Sequence, residues 1–155
     1  MAGFIAGFDH DTPESIVTMA DQLFEIGVDV PFLSILTPYK GTALHARMEQ
    51  ENRLLDRSWS FYSGYNVAFR PAQMSGDELR DAHRALWRRA FSPDYSLRRV
   101  LRASRRLRPG ALMMATAMNG FYGWKRLSGN RPLDVRQRVE SLSEASRLRI
   151  LPGHS

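Results

Sequence analysis

The chain has 155 residues, 43% of them apolar and 25% charged, and carries a net charge of +6. That is enough for one domain with a buried core, and the balance is that of a globular protein. Cysteine is absent, which excludes disulfides and any thiolate-held metal or iron–sulfur centre in this chain.

Met1 leads directly into Gly3-Phe4-Ile5-Ala6-Gly7 with no basic and apolar leader segment, so the expected compartment is the cytoplasm. The charge is uneven. Residues 1–79 hold 5 basic and 11 acidic side chains, residues 80–108 hold 10 arginines against Asp81 and Asp94, and residues 109–155 hold 7 basic and 3 acidic. An acidic front and an arginine-rich middle predict two surfaces with different partners.

The first predicted strand is Gly3 to Phe8. Alternation puts Phe4, Ala6 and Phe8 on one bulky face and Gly3, Ile5 and Gly7 on the other, where the glycines leave room for close approach to the backbone. Asp9-His10-Asp11 follows. These three offer oxygens and an imidazole to a metal, but adjacent residues seldom converge on one ion. A polar turn with one side chain bonding the next helix's amides is the favoured reading.

Thr12 as N-cap, Pro13 in the first turn and the stripe Ile16, Ala20, Leu23, Phe24 predict a helix over 13–26, with Gly27 as its stop. Pro31 to Thr37 reads as a second strand, apolar enough to be buried on both faces. Pro38 and Gly41 turn the chain, and Thr42 caps a short helix from Ala43 to about Glu51. Strand, helix, strand, helix is a βα pattern. Two strands cannot close a barrel, so they must pair with strands outside this chain or leave open edges.

Residues 53–74 gather Trp59, Phe61, Tyr62, Tyr65 and Phe69. Such a connector packs over a pocket or domain junction, or simply forms core beneath a long loop. Asn66 to Arg70 reads as a short edge strand. Ser75-x-x-Glu78 is a capping box that starts a helix over 76–91, with Leu79, Ala82, Leu86 and Ala90 at helical spacing. Ser92-Pro93 starts another over 93–107, whose expected buried stripe is Leu97, Val100, Leu101 and Leu107. Arg98, Arg99, Arg102, Arg105 and Arg106 occupy its remainder.

Pro109-Gly110 breaks or bends the chain before an apolar run from Ala111 to Trp124. The 16 residues between Arg108 and Lys125 fall short of the roughly 20 that span a bilayer. Ser128 to Pro132 reads as a linker, and 133–150 as a marginal polar helix.

Several of these stretches carry a resemblance. Gly3-x-Ile5-x-Gly7-x-Asp9 is similar to the G-x-I-x-G-x-x-E stretch on the fifth barrel strand of radical S-adenosylmethionine enzymes, with Asp9 one position earlier than the family's glutamate. Leu36-Thr37-Pro38-Tyr39-Lys40-Gly41-Thr42 resembles the L-x-P-x-P-G-T that ends the sixth strand, with Lys40 where a second proline is usual. Asp56 to Tyr62, Val67-x-Phe69-x-Pro71 and Met74-Ser75-x-x-Glu78-Leu79 resemble the helical domain that follows the barrel in the cobalamin-binding branch. That branch includes hopanoid and bacteriochlorophyll methylases. The resemblance covers roughly residues 2–125.

It implies an α/β front followed by an all-α part. Residues 1–55 would form the last two βα units of a parallel radical-SAM-type barrel, 56–74 an aromatic connector, 75–127 a helical C-terminal domain and 128–155 a linker and tail. It implies that Gly3, Ile5, Gly7, Leu36 and Pro38 line the adenine side of an S-adenosylmethionine pocket. No catalytic residue and no metal ligand is assigned here. The family's 4Fe-4S cluster and cobalamin would belong to the full-length enzyme, whose cluster cysteines this chain lacks.

The implied partners are a missing N-terminal barrel half, in the same or a separate polypeptide, and a small-molecule substrate of lipid or tetrapyrrole type. The chain alone is expected to be inactive and the whole enzyme to methylate carbon or catalyse a related rearrangement. The arginine band admits three readings: a solvated helix face, an anionic membrane surface met through Arg98 to Lys125, or phosphates of nucleic acid. No helix-turn-helix or RNA-binding motif supports the last. The rival to the enzyme reading is a non-enzymatic basic helical module that binds anionic membrane or RNA.

Overall fold

The computed structural model describes residues 1–55 and 62–127, and its helices begin where the capping side chains stand. In chain order the elements are β1 (Ala2–Ala6), α1 (Pro13–Glu25), β2 (Pro31–Ile35), α2 (Ala43–Gln50), α3 (Gly76–Ala90), α4 (Pro93–Ser104) and α5 (Pro109–Leu127). Thr12 caps α1 in a reciprocal box with Ser15, Thr42 caps α2, Ser75 and Glu78 form the box of α3, and Ser92 caps α4. Each cap supplies an acceptor for amides that have no partner within the helix.

The strands pair in parallel, with Ala2 opposite Pro31 and Ala6 opposite Ile35. A parallel pair needs a crossover, and α1 provides it. Ala6, Leu33 and Ile35 from the sheet, Ile16, Ala20 and Leu23 from α1, and Leu79, Leu86 and Ala90 from α3 share one core. Helices α1 and α3 lie against each other. Their polar seam is a two-point ion pair, Arg89 Nε and Nη2 to the two oxygens of Asp21 at 2.9 and 2.8 Å, joined by the hydroxyl of Tyr95 from α4. Arg102 of α4 closes the end of α1, donating to the carbonyl of Phe24 at 2.5 Å with its guanidinium 4.4 Å above that ring.

The structure corrects four expectations. First, β1 ends at Ala6, not Phe8. Gly7 takes a φ of +106°, a conformation open mainly to glycine, and the turn it makes leaves Phe8 42% exposed instead of aligned with Phe4 and Ala6. Second, β2 stops at Ile35 and is covered on one face only. Pro31, Leu33 and Ile35 are buried while Phe32 is 41% exposed, because α1 and α3 form a layer on a single side.

Third, the Asn66–Arg70 strand shrinks to one antiparallel bridge between Leu54 and Phe69, flanked by Leu55 N–H to Ala68 O at 2.9 Å and Arg70 N–H to Arg53 O at 2.7 Å. Fourth, α4 turns the other way about its axis. Arg99 and Ala103 are buried, whereas Leu97 is 60% and Leu101 56% exposed.

Pro109 and Gly110 stand at the break between α4 and α5 and open the latter, and that helix buries Ala115 and Asn119 while exposing Met113, Met114 and Trp124. Among the described residues no helix is long and apolar enough to cross a membrane. Trp59 and Phe61 of the aromatic connector, most of the Asp56–Tyr62 motif, and the linker and tail assigned to 128–155 lie outside the described residues.

Candidate functional site

Among the described residues, the face of the sheet turned away from α1 and α3 is open. Register places Gly3 beside Phe32 and Ile5 beside Ser34. Ile5 is 45% exposed, and a side chain added at Gly3 would meet nothing within 4 Å. Tyr65 from the connector meets the Phe32 ring edge-on, 6.4 Å between centroids. Ser34 Oγ donates to the carbonyl of Phe4 at 3.2 Å. The result is a shallow apolar floor, one residue of which has no side chain.

Among the described residues the sheet also has one open edge. The amide of Ala2 donates to Val30 O at 3.2 Å, and Leu36 N–H donates to Ala6 O at 2.8 Å. In a parallel ladder alternate residues direct both backbone groups to the same neighbour, so Ala2, Phe4 and Ala6 face β2 while Gly3 and Ile5 face outward. No strand among the described residues meets that edge. The far edge of β2 differs, for Ile35 N–H donates to the carbonyl of Gly64 at 2.6 Å.

At the carboxyl end of β1, Asp11 Oδ2 accepts from the amides of Gly7 at 2.7 Å and Phe8 at 2.9 Å. The turn is polar as expected, but this carboxylate bonds the amides behind it, and Thr12 serves the helix. Asp9 is clamped by two guanidinium groups: Arg53 Nη2 at 2.7 Å on one oxygen and Arg47 Nη2 at 3.1 Å on the other. The Arg53 hydrogen bond holds the Asp9 carboxyl below its ordinary value, against a smaller opposing effect of burial. Arg53 also donates to Glu51 at 3.0 Å and to Arg70 O at 2.8 Å. His10 projects outward and stacks on Phe8.

The five residues assigned to a cofactor wall do not share one surface. Gly3 and Ile5 lie together on the open face. Gly7 is buried, and a Cβ there would stand 3.0 Å from Leu79 Cδ2 and 3.4 Å from Phe69 Cζ, so the space beside it is filled by this chain's own core. Leu36 belongs to that core and Pro38 is buried. Phe32, Ser34, Gly64 and Arg53 escaped sequence reasoning. Strand register would have found the first two; nothing local signals a partner for Asp9 that lies 44 residues away.

The arginine band is not one surface. Arg80, Arg84 and Arg98 pair with Asp77, Asp81 and Asp94 on their own helices, Arg89 and Arg102 tie helices together, and Arg99 is 1% exposed. Desolvation lowers the Arg99 guanidinium to about 10. Arg88, Arg105, Arg106 and Arg108 are exposed.

Residues 42–130, more than half of the chain, match the family described as a domain of unknown function, DUF4070, and the chain belongs to that family. The match begins at Thr42, the N-cap of α2. The chain is also 29% identical over 97 residues to the bacteriochlorophyllide d C-12(1)-methyltransferase of Chlorobaculum tepidum, an alignment covering 63% of this chain and 21% of that protein. It therefore spans about a fifth of that relative's length. No solved structure matches the chain.

Proposed function

We propose that this DUF4070 chain is the C-terminal part of a cobalamin-associated radical S-adenosylmethionine enzyme of methyltransferase type. It would contribute the adenine side of the cofactor pocket and a helical cover over the substrate, and would be inactive alone. The observation that carries this reading is the one-sided parallel sheet, with an open edge at Gly3 and Ile5 and an open face beside it. These are the features that the end of a larger parallel sheet presents to the strands preceding it. The family match and the methyltransferase relative support the same reading.

Two of the assigned residues fit an adenine. Ile5 offers an exposed apolar side chain, and the empty space over Gly3 lets a flat ring approach the backbone. Gly7 and Leu36 act one step back, as the turn and core that hold β1 in place. In that family S-adenosylmethionine supplies the radical chemistry at an iron–sulfur cluster. A cysteine-free chain does not fit such a cluster, so its ligands would lie on the other part of the enzyme, and no residue here is assigned to cobalamin. What this chain does is bind one side of the cofactor and exclude water above it. A tetrapyrrole or lipid is the substrate class, by analogy with a relative named for a bacteriochlorophyllide.

The test supplies the N-terminal barrel half and measures S-adenosylmethionine binding by equilibrium dialysis. Joined, the two parts should bind, and Ile5→Ala should weaken binding by about 1–3 kcal/mol of lost apolar contact. Equal affinity with and without this chain, or no response to Ile5→Ala, sinks the pocket assignment.

A second reading has its own observation. Leu97, Leu101, Met113, Met114, Phe121 and Trp124 are exposed on α4 and α5, beside Arg98, Arg105, Arg106 and Arg108. Apolar groups among cations suit an anionic membrane surface. Vesicles containing phosphatidylserine should then capture the chain at low salt and release it at high salt. Equal capture by neutral vesicles removes the electrostatic part.

A further inference from the structure

All the sulfur in this chain is thioether, for it has seven methionines and no cysteine. An oxidant reaching the surface therefore meets no thiol, and access decides which methionine reacts. Met48 is fully buried, Met19 and Met74 pack against the core, and Met118 is half-buried. Met113 and Met114, adjacent on α5, are 73% and 63% exposed. Met1, at the first position of the chain, is exposed as well.

The pair stands among groups that give its oxidation a consequence. It belongs to the exposed apolar set on α4 and α5 that includes Leu97, Leu101, Phe121 and Trp124. Arg105, Arg106 and Arg108, also exposed, precede it, and no Asp or Glu occurs between Arg105 and Leu127. A thioether is apolar and adapts its shape to a soft surface. A sulfoxide is polar and chiral, and it leaves every charge nearby unchanged.

We propose that Met113 and Met114 form an oxidation site that weakens the membrane-facing surface of α4 and α5. The inference rests on the membrane reading above and names its regulation. A lone pair on sulfur takes one oxygen of a hydroperoxide, the O–O bond breaks, and the other oxygen leaves as water or an alcohol. Sulfur loses two electrons and the peroxide gains them. Oxidation removes the apolar part of the attraction and keeps the electrostatic part that the arginines supply.

The full chain is treated with hydrogen peroxide, mapped by peptide mass spectrometry, and sedimented with phosphatidylcholine–phosphatidylserine vesicles. Met113 and Met114 should gain oxygen well before Met48, with the melting temperature unchanged. Vesicle binding should fall about tenfold, and the remainder should be more sensitive to salt. Methionine sulfoxide reductases acting on both epimers should restore it. Met113→Leu combined with Met114→Leu keeps the apolar bulk on the helix. That variant should bind like the parent and ignore peroxide, although its Met1 still oxidises. Oxidation of Met48 as fast as the pair overturns the site. Undiminished binding by the fully oxidised pair, or peroxide sensitivity that persists in the leucine variant, overturns the switch and leaves the membrane reading standing. No vesicle binding by the untreated parent removes that reading and the switch with it.

Discussion

Arg53 Nη2 lies 2.7 Å from Asp9 Oδ1 across 44 residues of sequence, and so fastens the end of β1 to the segment that leaves α2. The same guanidinium holds Glu51 and the carbonyl of Arg70, with its side chain only 16% exposed. Arg53→Met keeps the stem and removes all three bonds. It should cost about 1–3 kcal/mol, the range for lost hydrogen bonds to charged groups, measured by urea unfolding at pH 7. Asp9 gives the pair a pH dependence. Its folded carboxyl titrates below the ordinary 3.8, so its contribution is complete above that value and is lost as pH falls through the lower folded one. Acid unfolding of Asp9→Asn should therefore be shallower than the parent's below pH 3.8.

Gly7 and Gly3 look alike in the sequence and should behave oppositely. Gly7 holds φ +106° with Leu79 Cδ2 at 3.0 Å from any added Cβ, so Gly7→Ala combines backbone strain with crowding and should destabilise by about 1–3 kcal/mol. Gly3→Ala meets no neighbour and should stay within about 0.5 kcal/mol of the parent. Urea midpoints of the two variants make the comparison.

His83 on α3 is 2% exposed, and its Nε2 has no partner. Burial pushes its imidazole below 6.5, against a smaller opposing effect of the Leu33 backbone. The unfolded chain takes up a proton near pH 6.5 and the folded one does not, so stability falls as pH drops from 6.5 toward the folded value. The slope should be present in the parent and missing in His83→Leu, whatever that variant's stability at pH 8, in urea titrations at pH 8 and pH 5.5.

The outward amides of Gly3 and Ile5 should exchange with solvent faster than those of Phe4 and Ala6, which face β2, by at least tenfold in hydrogen-exchange NMR. Supplying an N-terminal barrel half should slow Gly3 and Ile5 selectively. Uniform protection along β1 in the chain alone would contradict the open edge.

Helix starts were legible because a cap is a local device. Thr12, Thr42, Ser75 with Glu78, and Ser92 stand where they do whatever packs above them. The rotation of α4 was not. Its sequence offers Leu97 and Leu101 on one side and Arg99 and Ala103 on another. The second side won because Ala103 lets the helix approach closely, and the Arg99 stem packs with its head over Phe91 at 5.7 Å while donating to Ala90 O at 2.6 Å. Alternation likewise identified Gly3 and Ile5 as sharing a face, but could not show that one residue in a left-handed turn ends the alternation at Gly7. The apolar run of β2 gave no sign that Phe32 would be left uncovered, since that depends on what lies beyond the strand.

The bond from Ile35 to the Gly64 carbonyl gives the sheet a direction of growth. A new strand can dock on β1 without displacing a described strand, whereas one arriving beside β2 must first evict the Gly64 loop from the amide of Ile35. Any sheet completed around this chain therefore enlarges past Gly3 and Ile5 and stops at β2. Tyr65, one residue beyond Gly64 and resting on Phe32, stands beside that guarded edge.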